Sequence, residues 1–523
     1  MIISVTVNGD GLRFHQQRAL DALQGDGFPQ KLLAHDATLW GAGAEHEASI
    51  RLGWLDVIDV TWKLVPELLR LRDALRAEEI DHVVLCGMGG SSLAPEVICR
   101  TTGVELTVLD STHPDQVREA LATDLSKTVV VVSSKSGGTL ETDSQRRSFV
   151  EAFTAAGIDA KQRIVVVTDP GSSLEKLAHD EGYRAVFLAD PHVGGRYSAL
   201  TAFGVVPSAL AGADVELLLD QGQSAFSRLT EEDNPALQLG ATLGADNRDK
   251  IVLDAAASSL PGFGDWAEQL IAESTGKQGT GLLPVVVEPS APELQSPADD
   301  LHVVRINGET PPVGTSVAAN LGQQFVLWEY AVAVSGRLLG INPFDQPDVE
   351  SAKQAARDIV EHQPEPEEPV FVDGNVEVFA TPGILDGQVS LVSAVNALIT
   401  QIPPRGYVAV QAYLDRHRDA RLSLVRSSLA RRTGRPVTFG WGPRFLHSTG
   451  QYHKGGPPLG VYLQITGNVV EDLAIPGRDF SYGSLIAAQA VGDGKVLEQH
   501  GRPVLRLHVI GSKGVDEIAK ALS

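Results

Sequence analysis

"DHVVLCGMGGSSLAPEVICR", residues 81–100, decides the fold: a short apolar run, a turn made mostly of glycine and serine, and then a helical segment. Val83, Val84, Leu85 and Cys86 form the continuous apolar run of a strand covered on both faces, and Leu93 to Cys99 read as a helix. The turn therefore joins the carboxyl end of a strand to the amino end of a helix. Unpaired N–H groups and the helix dipole favour negative charge there, so Gly87, Gly89 and Gly90 would let an anion, a phosphate first of all, approach the main chain. Two other readings stay open from this stretch alone. The glycines also suit a structural turn with tight helix packing. Gly87-Met88-Gly89, with the following strand "VELTVLD" ending in Asp110, matches part of a dinucleotide fingerprint, although Ser92 stands where its third glycine would be.

Working outward, "HVVLC", "ELTVLD", "TVVVVSS", "RIVVVTD" and "AVFLAD" are separated by stretches of helix length, which predicts a parallel sheet with helices on both faces. A second series starts at "KIVLDA" (250–255) and continues through "LLPVVVE" and "HVVRIN". "HQPEPEEPV" (362–370) is acidic and proline-rich, so it cannot prolong the helix before it and reads as a linker. The expected architecture is α/β: two doubly wound, mainly parallel sheets flanked by helices, plus a mixed α/β C-terminal region. Its divisions are a helical lead-in (1–50), a first sheet domain with the phosphate loops (51–225), a second (226–361), the linker (362–369) and the C-terminal region (370–523).

At 523 residues the chain holds two to four cores' worth of sequence, and 43% apolar with 21% charged residues is ordinary for a globular protein. A formal net charge of −23 argues against general nucleic-acid binding, and it means that an anionic ligand must be held by local donors. The two cysteines, Cys86 and Cys99, lie in apolar settings, which excludes a disulfide framework and fits a reducing cytoplasm. No leader and no membrane-spanning run is read in the sequence.

The third strand repeats the logic of the first. After "TVVVV" come Ser134, Lys135, Ser136, Gly137, Gly138 and Thr139, then a helix; hydroxyls, an ammonium and a glycine pair at a helix start suit a phosphate through charge-assisted bonds. Loops at the carboxyl ends of neighbouring strands converge in a doubly wound sheet, so both would share one phosphate. The plain alternative, a serine-capped helix start, uses one hydroxyl and leaves Lys135 without a purpose. "GGRYS" (194–198) sets Arg196 beside two glycines, as a surface turn also would. In "DWAEQLIAESTGKQGTG" (265–281), at about 100° per residue, Glu273 falls at the margin of the apolar stripe with Gln269 one turn earlier and Gly276 ending the helix. A carboxyl so placed is partly desolvated, which suits a general base near neutrality; the other reading is a solvated last-turn residue. Lys353 follows two prolines in "GINPFDQPDVESAKQAAR" (340–357) and would serve equally as a surface lysine. His447 and His453 stand in "RFLHSTGQYHKGGPP" (444–458), a loop composition suited to a ligand, with no partner at metal-ligand spacing. The arginines between Arg416 and Arg435 read as a solvated helix face or an interface.

Together these segments resemble the glucose-6-phosphate isomerase family, a pair of sugar-isomerase (SIS) domains with a further terminal region. "GMGGSSLAP" looks like its first phosphate loop, "SSKSGGTLET" its second, "GGRYS" its arginine motif, "ESTGK" its catalytic glutamate motif and "INPFDQPDVESAK" its lysine segment, in order over roughly 80–355. The likeness extends to the isomerase half of fused transaldolase–isomerase proteins. The histidine motif departs from the family order: its best match, "LHSTGQYHKGG", follows the "FDQ" segment, whereas His302 has the expected position but sits in a strand. His447 is the expected residue.

The resemblance implies a reversible aldose–ketose isomerisation of glucose 6-phosphate to fructose 6-phosphate through a cis-enediol, in glycolysis and gluconeogenesis. Gly89, Gly90, Ser91, Ser134, Lys135, Ser136, Thr139 and Gln269 would bind substrate, His447 with Lys353 would open the ring, Glu273 would move the proton and Arg196 would stabilise the intermediate. It also implies no metal, nucleotide or redox cofactor, no nucleic-acid or membrane partner, a cytoplasmic location and a homodimer. Two rivals remain: an isomerase that also accepts mannose 6-phosphate, and a non-catalytic sugar-phosphate sensor, which would not need Glu273, Arg196 and Lys353 together.

Overall fold

Alternation along the apolar runs sets the architecture. The computed structural model describes residues 3–231, 233–256, 258–362 and 367–523. The chain begins with β1 (Ser4–Asn8), a strand inside the segment expected to be a wholly helical lead-in; helices Asp10–Gly25 and Phe28–Leu33 follow it. The first sheet then forms from β2 (His82–Gly87), β3 (Thr107–Leu109), β4 (Thr128–Ser133), β5 (Ile164–Thr168) and β6 (Ala185–Leu188). Val83, Leu85, Val129, Val131, Val165 and Val167 enter one apolar cluster, while Val84, Cys86, Val130, Val132 and Val166 enter another across the sheet. Period-two alternation of apolar side chains thus covers both faces, each fully buried valine contributing roughly 1.5–3 kcal/mol.

All pairings in this sheet are parallel and its order is β3-β2-β4-β5-β6. The chain winds one way from β2 to β3 and the other way from β4 onward. The loops after β2 and β4 therefore diverge from a topological switch point, where a crevice opens beyond the carboxyl ends of the strands.

The second sheet has the order β1-β10-β9-β7-β8, from β7 (Lys250–Asp254), β8 (Leu283–Val286), β9 (Leu301–Ile306) and β10 (Gly314–Ala318). It is parallel except for β1, which runs antiparallel to β10 with Ser4 opposite Ala318. Five residues with a half-buried pattern gave no local sign of a partner so far along the chain. The third sheet carries the C-terminal region: β11 (Phe371–Asp373), β12 (Val376–Ala380), β13 (Tyr407–Tyr413), β14 (Val437–Trp441), β15 (Gly460–Gly467) and β16 (Val504–Val509), in the order β11-β12-β16-β15-β13-β14. Four of its strands are parallel, with the β11–β12 hairpin antiparallel at one edge.

This third unit is welded to the others. Tyr407, Tyr452 and Tyr462 share an apolar cluster with Val252, Leu283 and Val285 of the second sheet, and Tyr482 and Leu485 pack beneath the first. Arg426 meets Glu288 at 2.7 Å and Glu293 at 2.6 Å, Arg435 pairs with Asp300, and Arg416 reaches Asp110 at 2.9 Å. These arginines, open to a solvated or an interfacial reading, face an interface. Of the expected linker 362–369, residues 363–366 lie outside the described residues. Glu367 beyond them is paired with Arg506. Among the described residues no helix is long and apolar enough to cross a membrane.

Candidate active site

The loop after β2 closes as a single turn, Gly89–Ser91, before helix Leu93–Thr102. Gly89 has φ +56°, and a side chain on it would meet the His447 carbonyl oxygen at 2.7 Å; one on Gly90 would overlap the Gly195 carbonyl. These glycines therefore admit two neighbouring loops, the histidine and arginine motifs, as well as bare backbone. Ser91 is half-buried, and Ser92 donates back to the Gly89 carbonyl at 3.2 Å. In the loop after β4, Ser134 and Thr139 share a hydroxyl contact of 3.0 Å and the Gly138 amide donates to Ser136 Oγ at 3.2 Å. Lys135 points elsewhere, with its ammonium on the Asp169 carboxylate and the Pro191 carbonyl. Ser136, Gly138 and Thr139 line a cavity of about 180 Å³ whose other walls include Glu141, Lys353, Arg357, His447 and Gln489. A larger cavity of about 410 Å³, between helix Tyr482–Gln499 and the third sheet, contains none of the phosphate-loop residues.

Glu273 lies in the last turn of helix Phe263–Thr275 and is 8% exposed. Burial pushes its carboxyl above the ordinary glutamate value, opposed by the charges of Arg196, then Lys353, His447 and Lys277. Arg196 Nη1 lies 3.7 Å from Glu273 Oε2. The guanidinium is 2% exposed and fixed on every side: it donates to Ser274 Oγ at 2.7 Å, to Gln346 Oε1 at 2.8 Å and to the carbonyls of Pro343 and Asp345 at 2.6 and 3.0 Å. Gln269 Nε2 lies 3.4 Å from Glu273 Oε2 and donates to the His447 carbonyl at 2.8 Å. Gly276 ends the helix, though with φ −79° and not in the left-handed conformation usual at such caps; a Cβ there would lie 2.5 Å from Tyr452 Cα. Close packing of the histidine segment is what requires glycine.

His447 closes the short helix Arg444–His447 after β14, and its Nε2 lies 3.0 Å from Glu141 Oε1. Gln489 donates to the same oxygen at 2.8 Å. Burial opposes the charge on Glu141, but His447, through charge and hydrogen bond, then the Glu141 backbone amide and the charge of Lys353 outweigh it and hold the carboxyl at about 2. His302, by contrast, is buried in β9 between Thr315 at 2.9 Å and Asp246 at 3.5 Å. Asp110, the acid a dinucleotide ribose would need, is spent on Arg416 and on Arg444 at 3.3 Å.

The structure thus gathers Glu273, Gln269, Arg196, His447 and Lys353 around the loops after β2 and β4, with Lys135 turned to Asp169. Sequence reasoning missed Glu141, Gln346 and Lys277. Lys277 donates to the Asp345 carboxylate at 2.8 Å, and burial pulls its ammonium down to about 8. Glu141 was in plain view two residues after Thr139, where an acid in a first helical turn reads as a partner of the helix dipole. Only the tertiary fold brings His447 to it.

Mainly parallel sheets, hydroxyl-rich loops at the switch point and a buried carboxyl beside an arginine thus meet in one region of the fold, an arrangement suited to acid–base chemistry on an anionic ligand. The phosphoglucose isomerase family model matches residues 73–241. Glucose-6-phosphate isomerase of Citrifermentans bemidjiense is 30% identical over 353 residues, 54% of this chain and 66% of the relative; that of Listeria monocytogenes serovar 1/2a is 28% identical over 424 residues, 65% and 92%. Among solved structures, a hypothetical protein of Thermus thermophilus superposes with TM-score 0.60 at 23% identity, over 68% of this chain and 99% of that one. A glucose-6-phosphate isomerase of Chlamydia trachomatis gives 0.52 at 19% over 67% and 87%. At those identities the superpositions speak for the fold. Over these spans the chain is similar to phosphoglucose isomerases, and it covers 66% of the length of the Citrifermentans relative.

Proposed function

We propose that the protein interconverts glucose 6-phosphate and fructose 6-phosphate. The observation that carries this reading is the desolvated Glu273 carboxyl, its pKa raised by burial, beside Arg196 and tied through Gln269 to the His447 loop. Gly89, Gly90, Ser91, Ser134, Ser136 and Thr139 hold the phosphate, with Lys135 beside them engaged by Asp169, and this fixes the reacting carbons against the base. His447, oriented by Glu141 and assisted by Lys353 across the cavity, passes a proton from the C1 hydroxyl to the ring oxygen as the pyranose opens. Glu273 then takes the proton from C2 of the open aldose and returns it to C1. The cis-enediol between these steps carries developing negative charge on oxygen, which the fixed Arg196 guanidinium stabilises more as the charge grows.

A coupled assay of fructose 6-phosphate formation from glucose 6-phosphate, with mannose 6-phosphate run beside it, tests the reading. Turnover of glucose 6-phosphate is the expected result, and its absence in folded protein overturns the proposal. The same reading carries a homodimer, to be checked by sedimentation, and a cytoplasmic location, which the two buried, unpaired cysteines suit.

A further inference from the structure

We propose that Gln451 is a positioning residue for proton transfer: one buried amide that locks the glutamate helix, the lysine segment and the histidine loop into a single register. The inference rests on the isomerase reading above, and adds to it a residue that touches no substrate.

Gln451 is fully buried in helix Gly450–Gly455, four residues after His447. Its Nε2 donates to the Gly276 carbonyl at 2.9 Å, three residues beyond Glu273, and to Asp348 Oδ2 at 2.6 Å. Its Oε1 accepts from the Asp348 amide at 2.9 Å, five residues before Lys353. One side chain of the histidine segment therefore bonds to both of the other segments that supply the acid–base groups, and with both amide hydrogens and the oxygen engaged it has a single low-energy orientation.

The surrounding packing points the same way through atoms that Gln451 does not own. A Cβ on Gly276 would strike Tyr452 Cα at 2.5 Å, one on Gly455 would strike the Asp348 carboxylate at 2.1 Å, and the Gly279 amide donates to the Gly455 carbonyl at 2.9 Å. The short helix is seated on the end of the glutamate helix on one side and on the lysine segment on the other, with glycine at each point of contact. Because the histidine loop comes from the third sheet, nothing in covalent connectivity holds it near Glu273. A displacement of about 1 Å in such a constellation costs up to about a hundredfold in rate.

Gln451→Met keeps shape and burial while removing the donor and the acceptor. Its kcat on glucose 6-phosphate should fall by about tenfold or more with KM within about twofold, since the phosphate loops are untouched, and the deuterium isotope effect with substrate labelled at C2 should rise as proton abstraction becomes slower. A structural strut alone would lower the folded fraction or the melting temperature and leave kcat per folded molecule and the isotope effect unchanged; that result overturns the proposal. Should Gln451→Met not fold, Gln451→Glu and the exchange Gln451→Glu with Asp348→Asn decide. The single change sets two carboxylates together, whereas the exchange restores one donor facing one acceptor. Recovery of kcat in the double variant supports the proposal, and a kcat per folded molecule equal to wild type in the single Gln451→Glu variant refutes it. Wild-type protein that fails to isomerise the sugar would sink the functional reading itself, while an active wild type with an unaffected variant sinks only the role of Gln451.

Discussion

The loops proposed to bind phosphate and the groups proposed to move the proton sit side by side but are built on opposite plans. Each loop is one contiguous stretch at the end of a strand, and several of its hydroxyls find partners within it, as Ser134 with Thr139, Ser136 with the Gly138 amide and Ser92 with the Gly89 carbonyl do. The groups proposed for proton transfer, Glu141, Arg196, Glu273, Lys353 and His447, come from five separate segments, and a contact such as Glu141–His447 spans 306 residues. Holding a dianion takes several weak donors, which a local motif can supply. Moving a proton takes a few groups with displaced pKa values, and displacement needs burial and neighbours that only the folded chain brings.

The sharpest way to break that contrast is to remove the base and ask whether binding follows. Glu273→Gln keeps the shape and should lower kcat about 10²-fold or more, with hexose-phosphate affinity by calorimetry changed less than about threefold. A variant retaining half the wild-type rate would remove Glu273 from the role. Equal losses of affinity and rate would show that anchoring and chemistry are one unit.

How far the sequence was legible follows from the same contrast. The strand runs of the first sheet and both loops could be read because their information is local: valine alternation for burial, glycine and hydroxyl at helix starts. Glu273 could be placed at a stripe margin by helical periodicity alone. Glu141 could not be singled out, because its partner His447 lies on a loop of a different sheet. β1 was missed for a similar reason, its partner β10 being at the far end of the second sheet. The choice of His447 over His302 came from loop composition against strand context; in the fold His302 is buried, bonded to Thr315 and 3.5 Å from Asp246.

Glu141 ranks second in expected effect. Glu141→Gln should lower kcat on ring-closed glucose 6-phosphate about tenfold, because His447 loses the charge that orients it. Stability gives an independent reading. The folded-state pKa of Glu141 is depressed from 4.5 to about 2. Its contribution is therefore present above about pH 4.5 and is lost as pH falls toward 2, since over that range the unfolded chain binds the proton first; the full span is about 3 kcal/mol. Urea melts of wild type and Glu141→Gln should differ most near pH 6 and converge by pH 2. A gap that does not change with pH would mean that the pair contributes nothing through its charge.

Arg196 tests how the two halves are coupled electrically. Its guanidinium opposes the rise that burial imposes on Glu273, so Arg196→Met should move the acid limb of the kcat/KM profile to higher pH while kcat also falls. A limb that stays in place would mean that the acid limb belongs to some other group.

The smallest effect is expected where the sequence promised a large one. Lys135 stands among the hydroxyls proposed to bind phosphate, yet its ammonium is engaged by Asp169, and burial works against both charges, pulling the lysine down and the acid up. A cation already neutralised in this way has little net field to offer a phosphate, and to turn toward one it must first leave its carboxylate. Lys135→Met should therefore raise KM only about threefold, whereas Asp169→Asn, which releases the ammonium, should lower KM. If Asp169→Asn instead raises KM as Lys135→Met does, the ion pair is itself the scaffold of the phosphate loop, and the line between anchoring by local donors and chemistry by long-range charge would have to be redrawn through this lysine.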